Sequence, residues 1–331
     1  MIKDINACEF RYKKTIGSIG LSLLLFLLVF YLGNVVLDFA FELIANLPLP
    51  DVVIILAAEL LYAALYAASF MLPVLFLKKR IQNNGYAFYT MYAQPKLSPA
   101  LPLMIFASLA IVRAASYVNF EVVTVFQGSD YAYGAADGLV RIKGYRIILD
   151  FLVSCIIPGF CEEFLFRGAI LTNCLPFGRT NAIFISAFLF ALMHENIMQM
   201  LFAFVAGILL GLIYVRTKSI WNCIILHVLN NMTSLIEDVI YYNFSSFAGT
   251  LLPIIEAFIC LLGALSIGIL LIRFFSRNTS FEKGIYQRGL PATDSYAPCT
   301  LQSSYAVKLF FASPMIVFVA ITVCSMILDL F

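Results

Sequence analysis

The sequence predicts an all-α protein, a polytopic transmembrane bundle of about eight or nine membrane helices, from three observations. Of its 331 residues, 62% are hydrophobic and only 12% are charged, whereas soluble domains are closer to half apolar and a quarter charged. Apolar runs long enough to span a bilayer, roughly 20 residues, recur along the chain. Basic and acidic residues alternate between these runs. A chain with so few charges needs lipid around much of its surface, so it is predicted to be an integral membrane protein.

The apolar runs place the helices in order along the chain. The first span is predicted at residues 16–37, the second at 60–77, and a shorter third at 101–112. A stretch at 116–143, rich in Gly and Asp, predicts an exposed loop. A basic loop at 273–304 precedes the last span. The later spans are predicted at 147–160, 181–193, 197–215, 220–236, 257–272 and 309–328.

Charges at the ends of the spans predict the orientation. Basic residues precede the first span, follow the second, and recur at Arg216, Lys218 and the loop at 273–304. Acidic residues such as Asp51 and Glu121 dominate the opposite side. Because cytoplasmic loops carry an excess of Lys and Arg, we expect a cytoplasmic N-terminus. The small loops are typical of a protein of the bacterial cell membrane. The net charge of +2 and the scattered basic residues do not favour a nucleic-acid partner.

The pair Glu162-Glu163 lies in an apolar segment and is the first group that could carry chemistry. Charged groups inside a membrane helix cost about 2.5–3.5 kcal/mol each, so a chain keeps them for pairing or for chemistry. On a helix Glu163 and Arg167 share a face and can pair, whereas Glu162 points about 100° away and is left free. Two adjacent carboxylates in a low-dielectric site resist ionising together. One of the two is therefore a candidate general base. The alternative is a solvated helix end at the membrane surface.

The two histidines of the chain both lie in predicted membrane helices. His194 closes an apolar helix, four residues after Phe190, and could instead be an interfacial residue in contact with water. His227 and Asn231 lie one turn apart on one helix face. Together they could hold a water or an oxyanion, or they could tie helices together by a hydrogen bond. The proximity of both histidines to the glutamate pair in the sequence favours a common site.

Metal binding is weakly indicated. His194-Glu195 is superficially similar to the zinc-protease motif H-E-x-x-H, but Met198 occupies the position of the second histidine. No paired cysteine spacing predicts a zinc site. We therefore predict that no cofactor is required, and that Glu162, His194 and His227 would be the ligands if zinc is present.

Three motifs, in this order, resemble the motif set of the CPBP or Abi family. This family contains CAAX prenyl proteases and bacteriocin-processing membrane proteins and is typified by the Ras-converting CAAX endopeptidases. The motifs are E-E-x-x-x-R at Glu162, Glu163 and Arg167, F-x-x-x-H at Phe190 and His194, and H-x-x-x-N at His227 and Asn231. The resemblance predicts variable N-terminal membrane helices with an outer loop (1–144), a catalytic core (145–236), and C-terminal membrane helices with a basic cytoplasmic loop (237–331).

The resemblance implies an intramembrane endopeptidase that hydrolyses a peptide bond of a membrane-associated or lipidated, CAAX-like peptide or protein. By this resemblance Glu162 would activate a water that His194 helps to hold, and His227 with Asn231 would stabilise the oxyanion. The supporting residues would be Glu163, Arg167 and Phe190. The implied partners are membrane lipid and a membrane-embedded or lipidated substrate.

Two other functions fit the same composition. The first is a non-catalytic bacteriocin-immunity or membrane scaffold protein on the same fold, but such a protein could lose the costly buried groups that this chain retains. The second is a transporter with an intramembrane proton relay. A transporter predicts repeat-related halves with helices broken at matching positions, and only Pro158-Gly159 suggests a break.

Overall fold

A computed structural model describes most of the chain as helices joined by short connections. Within the described residues the chain forms no strand, and the prediction of an all-α protein is confirmed. Most of the predicted basic loop, residues 277–302, lies outside the described part. The described residues are 2–91, 97–127, 144–276, 303–311 and 313–328.

Six helices are long and apolar enough to cross a membrane, and two shorter apolar helices accompany them in the described chain. The chain is therefore an integral, multi-pass membrane protein. The helices are α1 (Ile2–Ala45), α2 (Asp51–Asn83), α3 (Leu101–Gln127), α4 (145–174), α5 (Arg179–Leu192), α6 (Ile197–Thr217), α7 (Ile220–Asn243), α8 (Ser245–Ser276), α9 (Ser303–Phe311) and α10 (Met315–Leu328). The six long apolar helices are α1, α2, α3, α6, α7 and α8, and the two shorter ones are α5 and α10.

The third helix is longer than predicted. It spans Leu101–Gln127, so the first part of the predicted loop at 116–143 is helical, and that part of the loop prediction was wrong. The side chain of Asn119 explains the difference, because its amide bonds the backbone at the start of α6 and is satisfied inside the bundle. Residues 128–143 lie outside the described chain.

The last predicted span, 309–328, is two helices. The first, Ser303–Phe311, ends before Ser313, and the second, Met315–Leu328, begins just after Pro314. The Ser313 hydroxyl accepts a hydrogen bond from the Met315 N–H at 3.2 Å, as residues that cap a helix start do. Proline also favours a helix start, because it lacks an N–H group to donate.

The bundle is arranged around α4. The antiparallel hairpins α1–α2 and α5–α6 have short connections, and α3 packs between α6 and α8. The α4 helix contacts α2, α5 and α7. Its second half is almost entirely buried, with Leu165, Phe166 and Ile170 inaccessible to solvent. The glutamate pair lies in this buried half, so its carboxylates are enclosed by the bundle.

Helix α4 changes its geometry on both sides of the glutamate pair. It is α-helical at Tyr145–Phe151, Ile157–Glu163 and Thr172–Cys174, and π-helical at Leu152–Ile156 and Phe164–Leu171. Short π-helical segments interrupt α-helices frequently at functional sites. The glutamate pair thus ends the α-helical segment between two wider ones.

A glycine allows α4 and α7 to approach closely. A Cβ atom added at Gly159 would lie 2.5 Å from Cγ2 of Val228, which is closer than two carbon atoms can pack. Gly159 is about one turn before Glu162 in α4, and Val228 follows His227 in α7. The absence of a side chain at Gly159 therefore brings the carboxylate-bearing helix against the histidine-bearing one.

Candidate active site

Glu163 lies at the centre of a buried ionic cluster. Its Oε1 accepts a hydrogen bond from Nη1 of Arg167 at 2.8 Å and lies 2.9 Å from Nδ1 of His227. The side chains of Glu163 and Arg167 have no exposure to solvent. The pairing of Glu163 with Arg167, expected from their spacing, is confirmed, and it extends to a histidine on a neighbouring helix.

Arg167 is held on further sides. Its Nη2 donates to the carbonyl oxygen of Gly207 in α6 at 3.2 Å, and its guanidinium lies 4.6 Å from the ring centroid of Phe190 in α5. Gly207 also allows α6 to pack closely against α5, since a Cβ atom there would lie 2.8 Å from Cα of Ala187. Arg167 therefore joins α4, α5 and α6 and fixes the carboxylate that contacts His227.

Glu162 is not free, and the expectation that it would be was wrong. Its Oε1 accepts a hydrogen bond from the hydroxyl of Tyr66 in α2. Its Oε2 lies 3.8 Å from Nε2 of His227 and, within the described chain, has no hydrogen-bond partner. The partner was missed because Tyr66 lies far outside the three motifs. One carboxylate oxygen is thus anchored, and the other faces the histidine.

The tautomer of His194 follows from its backbone contact. Nδ1 of His194 lies 2.8 Å from the carbonyl oxygen of Phe190. Because a carbonyl oxygen only accepts, Nδ1 carries the hydrogen, and Nε2 of the neutral ring is left with a lone pair. The ring of Phe190 is 4.8 Å from the ring of His194 and 5.9 Å from that of His227, between centroids. Phe190 therefore contacts both histidines.

The turn after His194 is strongly constrained. Glu195 has a φ of +47°, and the side chain of Asn196 caps α6 by accepting from the Met198 N–H at 2.8 Å. Asn119 of α3 bonds the backbone of the same turn of α6, and the hydroxyl of Tyr31 in α1 donates to Glu195. These contacts from two other helices hold the turn that carries His194, and no motif in the sequence signals them.

Asn231 bonds the backbone of α4. Its Nδ2 donates to the carbonyl oxygen of Ser154 at 3.1 Å. Ser154 lies in the π-helical segment Leu152–Ile156, four residues before Pro158, which has no N–H group to donate to that carbonyl. The contact uses one amide hydrogen of Asn231 and leaves the second to be donated elsewhere.

One cavity is lined by most of the predicted site residues. Phe190, His194, His227 and Asn231 line it, with small and apolar side chains of α3 and α6 on its other sides. The space that water centres can occupy is about 40 Å³, and one water needs about 10–15 Å³. The cavity therefore admits water. Glu162 does not line the cavity. Its Oε2 lies 3.8 Å from Nε2 of His227, which does line the cavity.

The three predicted zinc ligands are not arranged as a metal site. In the part of the chain that the structure describes, no three His, Cys, Asp or Glu side chains are arranged to hold a metal ion. Glu162, His194 and His227, the ligands predicted if zinc is present, are part of that description.

Comparison with known proteins bears on the same region. Neither a curated protein nor a solved structure matches the chain. Residues 144–233 match the family model described as type II CAAX prenyl endopeptidase Rce1-like. The match contains all three motifs, and it covers a little over a quarter of the chain, namely α4, α5, α6 and the first half of α7. The family predicted from the three motifs is therefore confirmed for this segment, which is similar to the type II CAAX prenyl endopeptidases of the Rce1-like kind.

Proposed function

We propose that this chain is an intramembrane endopeptidase that hydrolyses a peptide bond of a membrane-associated or lipidated, CAAX-like substrate with a water activated by Glu162. The Rce1-like match supports peptidase activity. The observation that carries the proposal is the 3.8 Å separation of Glu162 Oε2 from His227 Nε2, next to a cavity lined by His194 and Asn231.

The proposed mechanism uses His227 as an imidazolium together with two ionised glutamates. Two ionised glutamates and Arg167 leave one negative charge in the cluster, and a protonated His227 cancels it, so this state buries no net charge. In that form Nδ1–H donates to Glu163, and Nε2–H is directed to the side of Glu162.

Glu162 would act as the general base. Its Oε2 has no hydrogen-bond partner among the described residues. Because Glu162 does not line the cavity, the water that it deprotonates would bind beside His227, at the edge of the cavity. In the neutral ring, Nε2 of His194 has a lone pair and would accept the second hydrogen of the same water. The two acceptors would thus orient the water oxygen toward the carbonyl carbon of the substrate.

His227 and Asn231 would stabilise the tetrahedral intermediate. When Glu162 takes the proton, its negative charge is replaced by one on the substrate oxygen, and the imidazolium of His227 would donate Nε2–H to that oxygen. The free amide hydrogen of Asn231 supplies a second donor. Preorganised donors of this kind contribute about 100- to 1000-fold each in rate. Glu162 would then give its proton to the leaving amine as the C–N bond breaks.

The surroundings of the cavity favour a substrate anchored in the bilayer. The site lies among α2, α4, α5 and α7, and many large apolar side chains of the bundle face outward, including Leu60 and Leu61 in α2 and Phe184 in α5. A lipidated or transmembrane peptide can approach such a bundle from the lipid phase. We also propose that residues 145–236 form the catalytic core, that the N-terminus is cytoplasmic, and that the protein lies in a bacterial cell membrane.

The test uses the full chain reconstituted in liposomes. The substrates are a farnesylated CAAX peptide, the same peptide without the lipid, and a library of membrane-proteome peptides, each with and without a chelator. We expect the wild type to cleave a membrane-anchored substrate, with or without chelator, and Glu162→Gln to cleave it about 100- to 10,000-fold more slowly. Equal cleavage by both proteins would contradict the proposal. Inactivity of the wild type on every substrate would favour a non-catalytic role, and loss of activity with chelator would favour a metal.

A further inference from the structure

We infer that Tyr66 of α2 is a positioning residue for Glu162, so that a helix outside the family core completes the active site. This inference rests on the proposed function. Residue 66 lies well outside the matched segment at 144–233, yet its hydroxyl donates to Oε1 of Glu162. The family motifs therefore do not contain every side chain that contacts the candidate base.

The hydrogen bond distinguishes the two oxygens of Glu162. Oε1 is occupied by the Tyr66 hydroxyl, whereas Oε2 is buried, has no hydrogen-bond partner in the described residues, and faces His227. A carboxylate free to rotate would exchange these oxygens. A donor fixed to one of them holds the other in place, and pre-organisation of this kind raises the rate of the chemical step.

Tyr66 is itself held by aromatic packing. Its ring centroid lies 4.8 Å from that of Phe70, which in turn is 5.0 Å from Phe26 of α1. The hydroxyl is thus presented by a packed aromatic row within the α1–α2 hairpin. The same hairpin reaches the other side of the site, where Tyr31 contacts Glu195 beside His194. The α1–α2 hairpin therefore contacts both the candidate base and the turn that carries the water-binding histidine.

The chain provides a matched control in Tyr62. This residue is one turn before Tyr66, and the two rings are 6.2 Å apart, but no hydrogen bond to Glu162 is found for Tyr62 in the described residues. Tyr62→Phe and Tyr66→Phe each remove one hydroxyl from the same helix. Only Tyr66→Phe removes the bond to the carboxylate.

The kinetic test compares the two variants in liposomes on the substrate that the wild type cleaves. Loss of the hydrogen bond that holds Glu162 should lower kcat of Tyr66→Phe by roughly 10- to 100-fold with little change in KM. The effect should disappear in a Glu162→Gln background, because the base that Tyr66 positions is then absent. Tyr62→Phe should leave kcat unchanged in both backgrounds. A kcat of Tyr66→Phe equal to that of Tyr62→Phe, or an equal loss in the Glu162→Gln background, would overturn the inference.

A second measurement is independent of activity. Thermal unfolding in detergent compares Tyr66→Phe, Glu162→Ala and the double variant. If the two side chains are hydrogen-bonded, their effects on stability should be non-additive, whereas those of Tyr62→Phe and Glu162→Ala should add. If the wild type cleaves no substrate but the coupling of Tyr66 with Glu162 is seen, the proposed function fails and the Tyr66 contact stands. If cleavage depends on Glu162 and neither the kinetic nor the stability coupling is seen, the positioning role fails alone.

Discussion

Nδ1 of His227 lies 2.9 Å from Oε1 of Glu163, and this contact joins α7 to α4 inside the bundle. The same oxygen accepts from Arg167 at 2.8 Å. A carboxylate that holds a histidine in this way determines which ring nitrogen faces the reacting atoms. The second glutamate of the pair is therefore central to the proposed oxyanion site.

Replacing Glu163 should impair catalysis through His227. Glu163→Gln removes the negative charge that favours the imidazolium form, so the donor to the oxyanion weakens. We expect kcat to fall by about 100- to 1000-fold, the cost of losing one oxyanion donor. Steady-state cleavage in liposomes measures this. The control is Glu59→Gln in α2, and an effect of similar size there would indicate a general consequence of charge removal.

Arg167 should matter mainly for stability. Arg167→Gln leaves Glu163 buried without its cation, and breaking a buried ion pair from one side costs about 3–5 kcal/mol. Thermal unfolding of the purified protein in detergent should show a clear loss of stability. The double variant Arg167→Gln/Glu163→Gln removes both charges and should be more stable than Arg167→Gln alone. Equal stability of the single and double variants would argue against a paired buried charge.

The close approach of α4 and α7 should be required for activity. Gly159→Ala places a methyl group against Val228, 2.5 Å from Cγ2, and must shift Glu162 relative to His227. Small displacements in an active site can cost about 100-fold in rate. Val228→Ala should restore much of the activity in the double variant. Gly268→Ala, where an added Cβ meets no atom within 4 Å, is the control, and activity of Gly159→Ala equal to that of this control would contradict the packing argument.

The sequence was sufficient for the features that depend on local spacing. The pairing of Glu163 with Arg167 follows from their separation by one helical turn. The course of the long apolar helices follows from composition and length. The three motifs, each of them short, together identified the family of the core. These are properties of neighbouring residues along one chain segment.

The features that the sequence did not reveal depend on contacts between distant segments. Glu162 was expected to be free because its partner, Tyr66, is 96 positions away. The stretch at 116–143 was expected to form a loop because it is rich in Gly and Asp. Helix α3 nevertheless continues to Gln127, and a distant helix satisfies the amide of Asn119. The π-helical segments of α4 also have no signal in the local sequence. They occur where α4 packs against α2, α5 and α7.

The most direct test of the central claim is the rate at which one peptide bond is cleaved by wild type and by Glu162→Gln in the same liposomes. The reaction is run in water enriched in ¹⁸O, with thermal unfolding used to confirm that both proteins are folded. We expect one ¹⁸O atom in the new carboxyl terminus formed by the wild type, and a rate about 100- to 10,000-fold lower for Glu162→Gln, the usual contribution of a general base. A folded Glu162→Gln that cleaves the bond at the wild-type rate would contradict this claim.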